Sequence, residues 1–132
     1  MIRMSITVLA IVILVVSIGA LAEDQPSSRW PYGFWVAVMD EDNGPLDFME
    51  IRSDGRVVLW GICRNGHSTR GESLPFHLSS GDIYVTWEVP GKGPIALVFR
   101  PNTSKTKLTY TSPRTRNNMY YEYRAAKPCP AA

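Results

Sequence analysis

Apolar and polar positions alternate in short segments along most of this chain, and clusters of Gly, Pro, Asn, Asp and Ser separate the segments. The alternation is clearest in residues 83–89 and 119–124, where one face is consistently apolar or aromatic. A period of two is typical of half-buried strands, and the Val, Ile, Trp, Tyr and Phe found there favour strands. No sustained helical pattern follows the N-terminal segment. The pattern therefore predicts an all-β protein.

About eight strands are predicted, and the turns between them are short. The expected strand ranges are 33–39, 46–52, 56–63, 73–78, 82–89, 94–100, 107–111 and 119–124. The clearest hairpin turn is Ser53-Asp54-Gly55, because Asp and Gly tolerate the backbone angles of tight turns. Consecutive hairpins favour an antiparallel meander, and a meander of about eight strands commonly closes so that it has no exposed edges. We expect a small closed or nearly closed β-barrel.

The first 22 residues have the features of a signal peptide. Arg3 gives a positive start, residues 6–16 form an apolar core, and Ala20-Leu21-Ala22 is a small-x-small cleavage site. An uncleaved membrane anchor is the alternative, since the apolar stretch just reaches the lower length limit for crossing a bilayer. We expect cleavage after Ala22.

Cleavage would leave 110 residues, enough for one compact domain. Residues 23–29 are polar and non-periodic, which indicates a flexible lead-in. We expect a single barrel domain over residues 30–132, in a secreted or periplasmic protein without stable membrane association.

The charges are nearly balanced overall, with 14 basic and 12 acidic side chains. This balance gives no reason to expect nucleic acid as a partner. The distribution is uneven, however, because acidic residues cluster over 40–54 whereas residues 92–127 contain eight basic residues and one acidic residue, Glu122. Two faces of opposite sign are one interpretation, and ordinary solvated loop charges are the other.

Two cysteines, Cys63 and Cys129, follow the leader. Export would place them where disulfides persist, so we expect them to be bonded. In the chain-entropy description a cross-link over so long a loop stabilises the fold by about 4 kcal/mol. Metal ligation is the alternative, but two distant cysteines without a C-x-x-C pair are a poor zinc pattern.

The segment Gly33-Phe34-Trp35 at the start of the first strand resembles the G-x-W signature of lipocalins. The resemblance implies a barrel that Trp35 plugs at one end, with Arg124 of the last strand lying over it in a cation–π contact. It also fits a disulfide from Cys63 to Cys129 that ties the tail to the barrel. A lipocalin-like protein would bind a small apolar ligand or a protein partner.

A second resemblance is local. Residues 80–84, Ser-Gly-Asp-Ile-Tyr, resemble the S-G-x-x-Y stretch of periplasmic C-type lysozyme inhibitors, which are also small exported barrels. The resemblance implies that Ser80 and Tyr84 enter the cleft of a lysozyme. The alternative interpretation is a plain Ser-Gly turn before a strand whose Tyr84 faces outward.

Catalytic and metal-binding chemistry is poorly supported. The two histidines, His67 and His77, stand in no recognised motif, and we expect neither a catalytic residue nor a metal or cofactor site. Strand 56–63 is apolar on both faces, so Trp60 is a candidate contact for a ligand, a partner or another copy.

The sequence thus favours a non-enzymatic exported binding protein of lipocalin-like type. An inhibitor or immunity-type protein acting on an enzyme such as lysozyme is the alternative function. A cavity inside the barrel would favour a small ligand, whereas a packed interior would favour recognition at the surface.

Overall fold

The structure of the protein, a computed structural model, describes residues 29–130. The predicted signal peptide and nearly all of the lead-in lie outside the described residues. Within them, the chain forms eight strands: β1 (Gly33–Asp40), β2 (Phe48–Ile51), β3 (Arg56–Trp60), β4 (Arg70–Ser79), β5 (Asp82–Val89), β6 (Gly93–Pro101), β7 (Lys107–Thr111) and β8 (Asn118–Arg124). The described residues contain no helix that is long and apolar enough to cross a membrane.

The strands form one closed antiparallel barrel in which each strand pairs with its neighbours in sequence and β8 pairs with β1. This architecture confirms the predicted all-β meander. Most predicted strand ranges hold to within one to three residues, and β5 and β7 match their predicted bounds. The largest corrections are at β3, which ends at Trp60, and at β4, which begins at Arg70.

The shorter β3 has a local cause. The register between β3 and β4 shifts between Val58 and Trp60, and the backbone of Gly61 bonds to Thr69 beyond this irregularity. The chain then turns away through a small Arg64–His67 bridge. Cys63 is therefore in a loop, where its side chain can reach the C-terminal tail.

The inward-facing side chains of all eight strands form one hydrophobic core. Alternation along each strand places one set of residues inside, as the period of two predicts. The most deeply buried positions are Trp35, Ile51, Val57, Ile83, Val85 and Leu108, each no more than 1% exposed. The barrel interior is therefore filled with side chains, as is usual for barrels of this size.

Trp35 is fully buried in this core, where two aromatic rings contact it. Its indole Nε1 donates to the Pro31 carbonyl at 3.0 Å, and its ring centroid is 5.7 Å from that of Trp30 and 5.3 Å from that of Tyr123. A side-chain Cβ at Gly33 would stand 2.5 Å from the Tyr123 ring, and Gly33 has a φ of +136°. Glycine is needed there because the Tyr123 ring covers the backbone.

The cation–π pair predicted between Trp35 and Arg124 is not formed. Trp35 is in register with Tyr123, and Arg124 is in register with Phe34, so alternation turns Arg124 to the outside of the barrel. Its guanidinium donates to the Tyr123 carbonyl at 2.8 Å and to the Glu122 carboxylate at 3.2 Å. Tyr123 thus occupies the place beside Trp35 that the resemblance assigned to Arg124.

A second, smaller apolar cluster lies outside the barrel on β1, β2 and β3. Phe48, Val58 and Trp60 are buried there together with Cys129 of the C-terminal tail. The rings of Phe48 and Trp60 stack with centroids 5.8 Å apart. The tail is tied down by the Cys63–Cys129 disulfide, which confirms the predicted bond. This disulfide is consistent with an oxidising extracellular or periplasmic compartment.

Candidate functional site

One edge of β6 is paired along only part of its length. β6 pairs with β5 along Gly93–Phe99, but it pairs with β7 only at Phe99, Arg100 and Pro101. Among the described residues, no strand pairs with the second edge of residues 93–98. The cause is a difference in length, since β7 ends at Thr111 and the chain turns away into the β7–β8 loop. A row of backbone donors and acceptors is thereby left without a neighbouring strand.

A groove of about 300 Å³ lies at the place where β7 leaves β6, and we call it the β6 groove. It is lined by Ala96, Val98 and Arg100 of β6, by residues 109–111 of β7, and by Ser112, Pro113 and Arg116 of the loop. Two of these side chains are arginines and several others carry hydroxyl groups. The groove therefore combines a small apolar floor with polar and positively charged walls.

Both arginines of the groove are exposed and uncompensated. Within residues 29–130, neither Arg100 nor Arg116 comes within salt-bridge distance of a carboxylate. A guanidinium offers several donors in a planar fork that matches carboxylate geometry. The two side chains give the groove the chemistry to bind an acidic group.

The loop that carries Arg116 is held in one shape by its own hydrogen bonds. Arg116 has a φ of 66°, and its N–H donates to the Ser112 carbonyl at 2.9 Å. The N–H of Ser112 in turn donates to the Asn117 carbonyl at 2.9 Å. This closed turn places Arg116 beside Ser112 at the rim of the groove.

The β1–β2 loop holds the same turn from outside. The Asp42 carboxylate accepts hydrogen bonds from Thr115 Oγ1 at 2.7 Å and from Asn117 Nδ2 at 2.6 Å. The hydrogen bond from Thr115, then that from Asn117, lowers the pKa of Asp42 below its ordinary value, against a smaller opposing effect of desolvation. Asp42 therefore stays ionised at neutral pH and holds the residues on both sides of Arg116 by hydrogen bonds.

Tyr110 separates the groove from the barrel interior. Its ring lines the groove, packs against the core and lies 5.5 Å from the Phe99 ring between centroids. Burial raises the pKa of the Tyr110 phenol, so this side chain is neutral at physiological pH. The Tyr110 ring therefore closes the groove towards the barrel interior.

Tyr84 is the sequence-predicted contact residue that lies nearest to this groove. It is half-buried on the outer face, in register with Val98 on one side and with His77 on the other. The rings of His77 and Tyr84 stack with centroids 5.3 Å apart. The outer face of β4 and β5 therefore continues through Tyr84 towards the β6 groove.

The other predicted contact residues lie elsewhere. Ser80 is exposed at the tip of the β4–β5 turn with a φ of 51°, four positions before Tyr84. Trp60 is only 9% exposed, because Phe48, Cys129 and Lys127 cover it. The apolar outer face of β3 is thus covered by this chain's own tail, which leaves only a small part of the candidate contact residue Trp60 exposed.

The two histidines lie in different elements and have different neighbours. His67 is exposed in the β3–β4 loop, where only its backbone pairs with Arg64. His77 is exposed on β4 against Tyr84. In the part of the chain that the structure describes, no three or more His, Cys, Asp or Glu side chains are grouped to hold a metal ion.

Arg100, Arg116 and the free edge of β6 were not among the sequence-predicted site residues. Two signals pointed to them. The predicted β6 was longer than the predicted β7, and the basic residues were concentrated over 92–127. Neither signal alone identifies a groove, because the register that leaves residues 93–98 unpaired is a property of the assembled barrel.

Comparison of the chain with protein-family models, curated proteins and solved structures finds no match. The fold, a closed eight-stranded antiparallel barrel, is compatible with a lipocalin-like protein.

Proposed function

We propose that this protein is an exported, non-enzymatic binding module of lipocalin-like type that recognises a protein partner with its outer surface. The observation that carries this proposal is the filled interior. Side chains such as Trp35, Ile83 and Leu108 are fully buried inside the barrel, where a ligand-carrying barrel has its pocket. A packed interior supports surface recognition over carriage of a small apolar ligand.

The outer surface supports the same proposal. The β6 groove presents two arginines without carboxylate partners in the described residues, and Tyr84 of the neighbouring strand, in register with the groove residue Val98, adds an aromatic side chain to the same outer face. Arginine and tyrosine are enriched where protein partners bind. The disulfide that fixes the tail suits a module that works outside the cytoplasm.

Two measurements test surface recognition against ligand carriage. A fluorescent fatty acid is titrated into the protein, and a photo-cross-linking amino acid is placed at Tyr84 or, as a control, at Arg64 in the distant β3–β4 loop. We expect no saturable binding of the fatty acid. At position 84 we expect a discrete cross-linked adduct with a partner protein, and an excess of this protein without the cross-linking amino acid should suppress that adduct. Saturable fatty-acid binding that quenches the fluorescence of Trp35, without a specific adduct at position 84, would overturn the proposal.

An inhibitor of lysozyme is the second candidate function. It is favoured by Ser80, which is exposed at the tip of a tight turn, and by Tyr84 on the same hairpin. We expect such a protein to inhibit C-type lysozyme and to lose inhibition on Ser80→Trp substitution. Unchanged cell-wall lysis at a large excess of the protein would exclude this function for the lysozymes assayed.

A further inference from the structure

We propose that the β6 groove binds an extended segment of a partner protein in which apolar and acidic residues alternate, a proposal that rests on the surface recognition proposed above. The segment adds to the barrel as a strand beside residues 93–98. Backbone hydrogen bonds would supply affinity, and the alternating side chains would supply selectivity.

The backbone of β6 is the first support. Residues of a strand present their N–H and C=O groups to the two edges alternately. Along Gly93–Val98 one edge pairs with β5, and in the described part of the chain the other edge meets no strand. Pro94 has no N–H group, which leaves Ile95–Val98 as the stretch on which a further strand can pair.

The inward-facing side chains of this stretch are the second support. Ile95 is in register with Trp87, and Leu97 is in register with Val85, so both face the barrel interior. Ile95 is nevertheless 39% exposed and Leu97 is only half-buried. An added strand with apolar residues at every second position would cover them and complete the wall of the barrel.

Charge is the third support and determines the outward-facing residues of the partner segment. Val98 and Arg100 face outward on β6, and Arg116 stands across the groove. Side chains between the apolar positions of an added strand project towards these two guanidinium groups. Carboxylates fit there, because each arginine can bind one through two parallel hydrogen bonds.

A second copy of this chain fits the groove less well than an acidic partner. β6 carries no acidic residue between Gly93 and Pro101, so pairing it with β6 of another copy would provide no carboxylate for Arg100 and Arg116. A partner segment with carboxylates at its outward-facing positions provides them. The occupant we infer is therefore a different protein with an acidic, extended segment.

The test uses the full disulfide-bonded protein and a short capped peptide of alternating glutamate and valine. We expect the peptide to bind, to slow hydrogen exchange at alternate amides of residues 95–98, and to bind more weakly as salt is added. The double variant Arg100→Glu/Arg116→Glu should weaken binding roughly tenfold or more. A matched charge reversal in the β3–β4 loop, Arg64→Glu, should leave binding unchanged.

A second variant tests the strand edge independently of the arginines. Ile95→Lys places a charge on an exposed edge position, a device that blocks strand addition. We expect weaker binding with an unchanged circular dichroism spectrum and melting temperature. Equal binding of an alternating lysine and valine peptide, or peptide binding without protection of the β6 amides, would overturn the inference.

Failure of this inference is distinguishable from failure of the proposed function. Suppose that the peptide does not bind, but the adduct at position 84 forms and is unchanged by Arg100→Glu/Arg116→Glu. The protein then recognises its partner elsewhere, and only the assignment of the β6 groove as the binding site is wrong. If no specific adduct forms and the fatty acid binds inside the barrel, the proposed function itself falls. Self-association through β6, detected as a dimer that Ile95→Lys abolishes, would also overturn the assignment of a different protein as occupant.

Discussion

The ammonium group of Lys127 lies 3.4 Å from the centroid of the Trp60 ring. Lys127 belongs to the C-terminal tail and Trp60 to β3, so this contact fastens the tail to the outside of the barrel. The stack of Trp60 on Phe48 continues beneath it. The tail therefore acts as part of the fold, held by a cation–π contact, an apolar cluster and a disulfide.

Lys127→Ala should lower the free energy of unfolding by about 1 kcal/mol, because a partly desolvated cation–π contact has roughly this strength. Lys92→Ala, in the exposed β5–β6 turn, is the matched control and should have little effect. Urea unfolding followed by circular dichroism measures both. Equal stability of the two variants would show that the Lys127 contact does not stabilise the tail.

Removal of the disulfide should lower the free energy of unfolding more than Lys127→Ala does, and it should also loosen the contacts of the C-terminal tail. The double variant Cys63→Ser/Cys129→Ser should lose up to about 4 kcal/mol, as expected for a cross-link over a long loop. The Ser68 amide should then exchange faster with solvent, because it donates to the Pro130 carbonyl of the tail at 2.9 Å. Unfolding curves and hydrogen exchange at Ser68 test this prediction. Unchanged protection of that amide would contradict it.

Trp35→Ala should cost about 3 to 5 kcal/mol, since it leaves a cavity among fully buried residues. It also removes the donor to the Pro31 carbonyl. Trp35→Phe keeps part of the ring volume and should cost less. If Arg124 closed the barrel over Trp35, Arg124→Ala would be as destabilising as Trp35→Phe. The structure predicts a small effect for Arg124→Ala, whose side chain is on the outer face.

The pair Asp47 and Tyr121 should make stability depend on pH. Burial raises the pKa of Asp47, opposed by a smaller effect of the hydrogen bond that Tyr121 Oη donates to its carboxylate at 3.3 Å. A carboxyl whose pKa is raised on folding stabilises the protein most while it is protonated. That stabilisation is lost as pH rises from its unfolded pKa through its folded pKa.

Asp47→Asn is therefore expected to be more stable than the wild type at neutral pH, with the difference disappearing in acid. Asn can still accept the hydrogen bond from Tyr121. Burial, with the Asp47 charge as a smaller contribution, also raises the pKa of Tyr121 well above its ordinary value, so wild-type stability should fall again in strong alkali. Thermal unfolding measured across pH tests both the stability difference between Asp47→Asn and the wild type and the loss of wild-type stability in alkali. A stability difference that is constant with pH would contradict the assignment.

Asp42→Ala should weaken binding of the glutamate and valine peptide without destabilising the barrel. Its carboxylate holds Thr115 and Asn117, which flank Arg116, and it is exposed outside the core. Asp54→Ala, which removes an exposed carboxylate from the β2–β3 turn, is the control and should bind the peptide normally. Binding is measured by titration, and stability by melting. Equal affinities for the two variants would show that Asp42 does not position Arg116.

Much of the fold was predictable because its determinants are local. Alternation placed Ile83 and Val85 on one face of a strand, and the Ser-Asp-Gly turn joined β2 to β3. The disulfide was predictable because the chain holds only two cysteines behind a predicted leader. Strand periodicity and turn chemistry are written residue by residue, so sequence alone determined the number and order of the strands.

Only the tertiary structure decided which faces are covered and which remain open. The register of β1 on β8 placed Tyr123, and not Arg124, beside Trp35. The path of the tail buried Trp60, which the sequence made a candidate contact for a ligand, a partner or another copy. The unequal lengths of β6 and β7 left one strand edge free beside Arg100. These features depend on residues that are distant in the chain, and closure of the barrel is what brings them together.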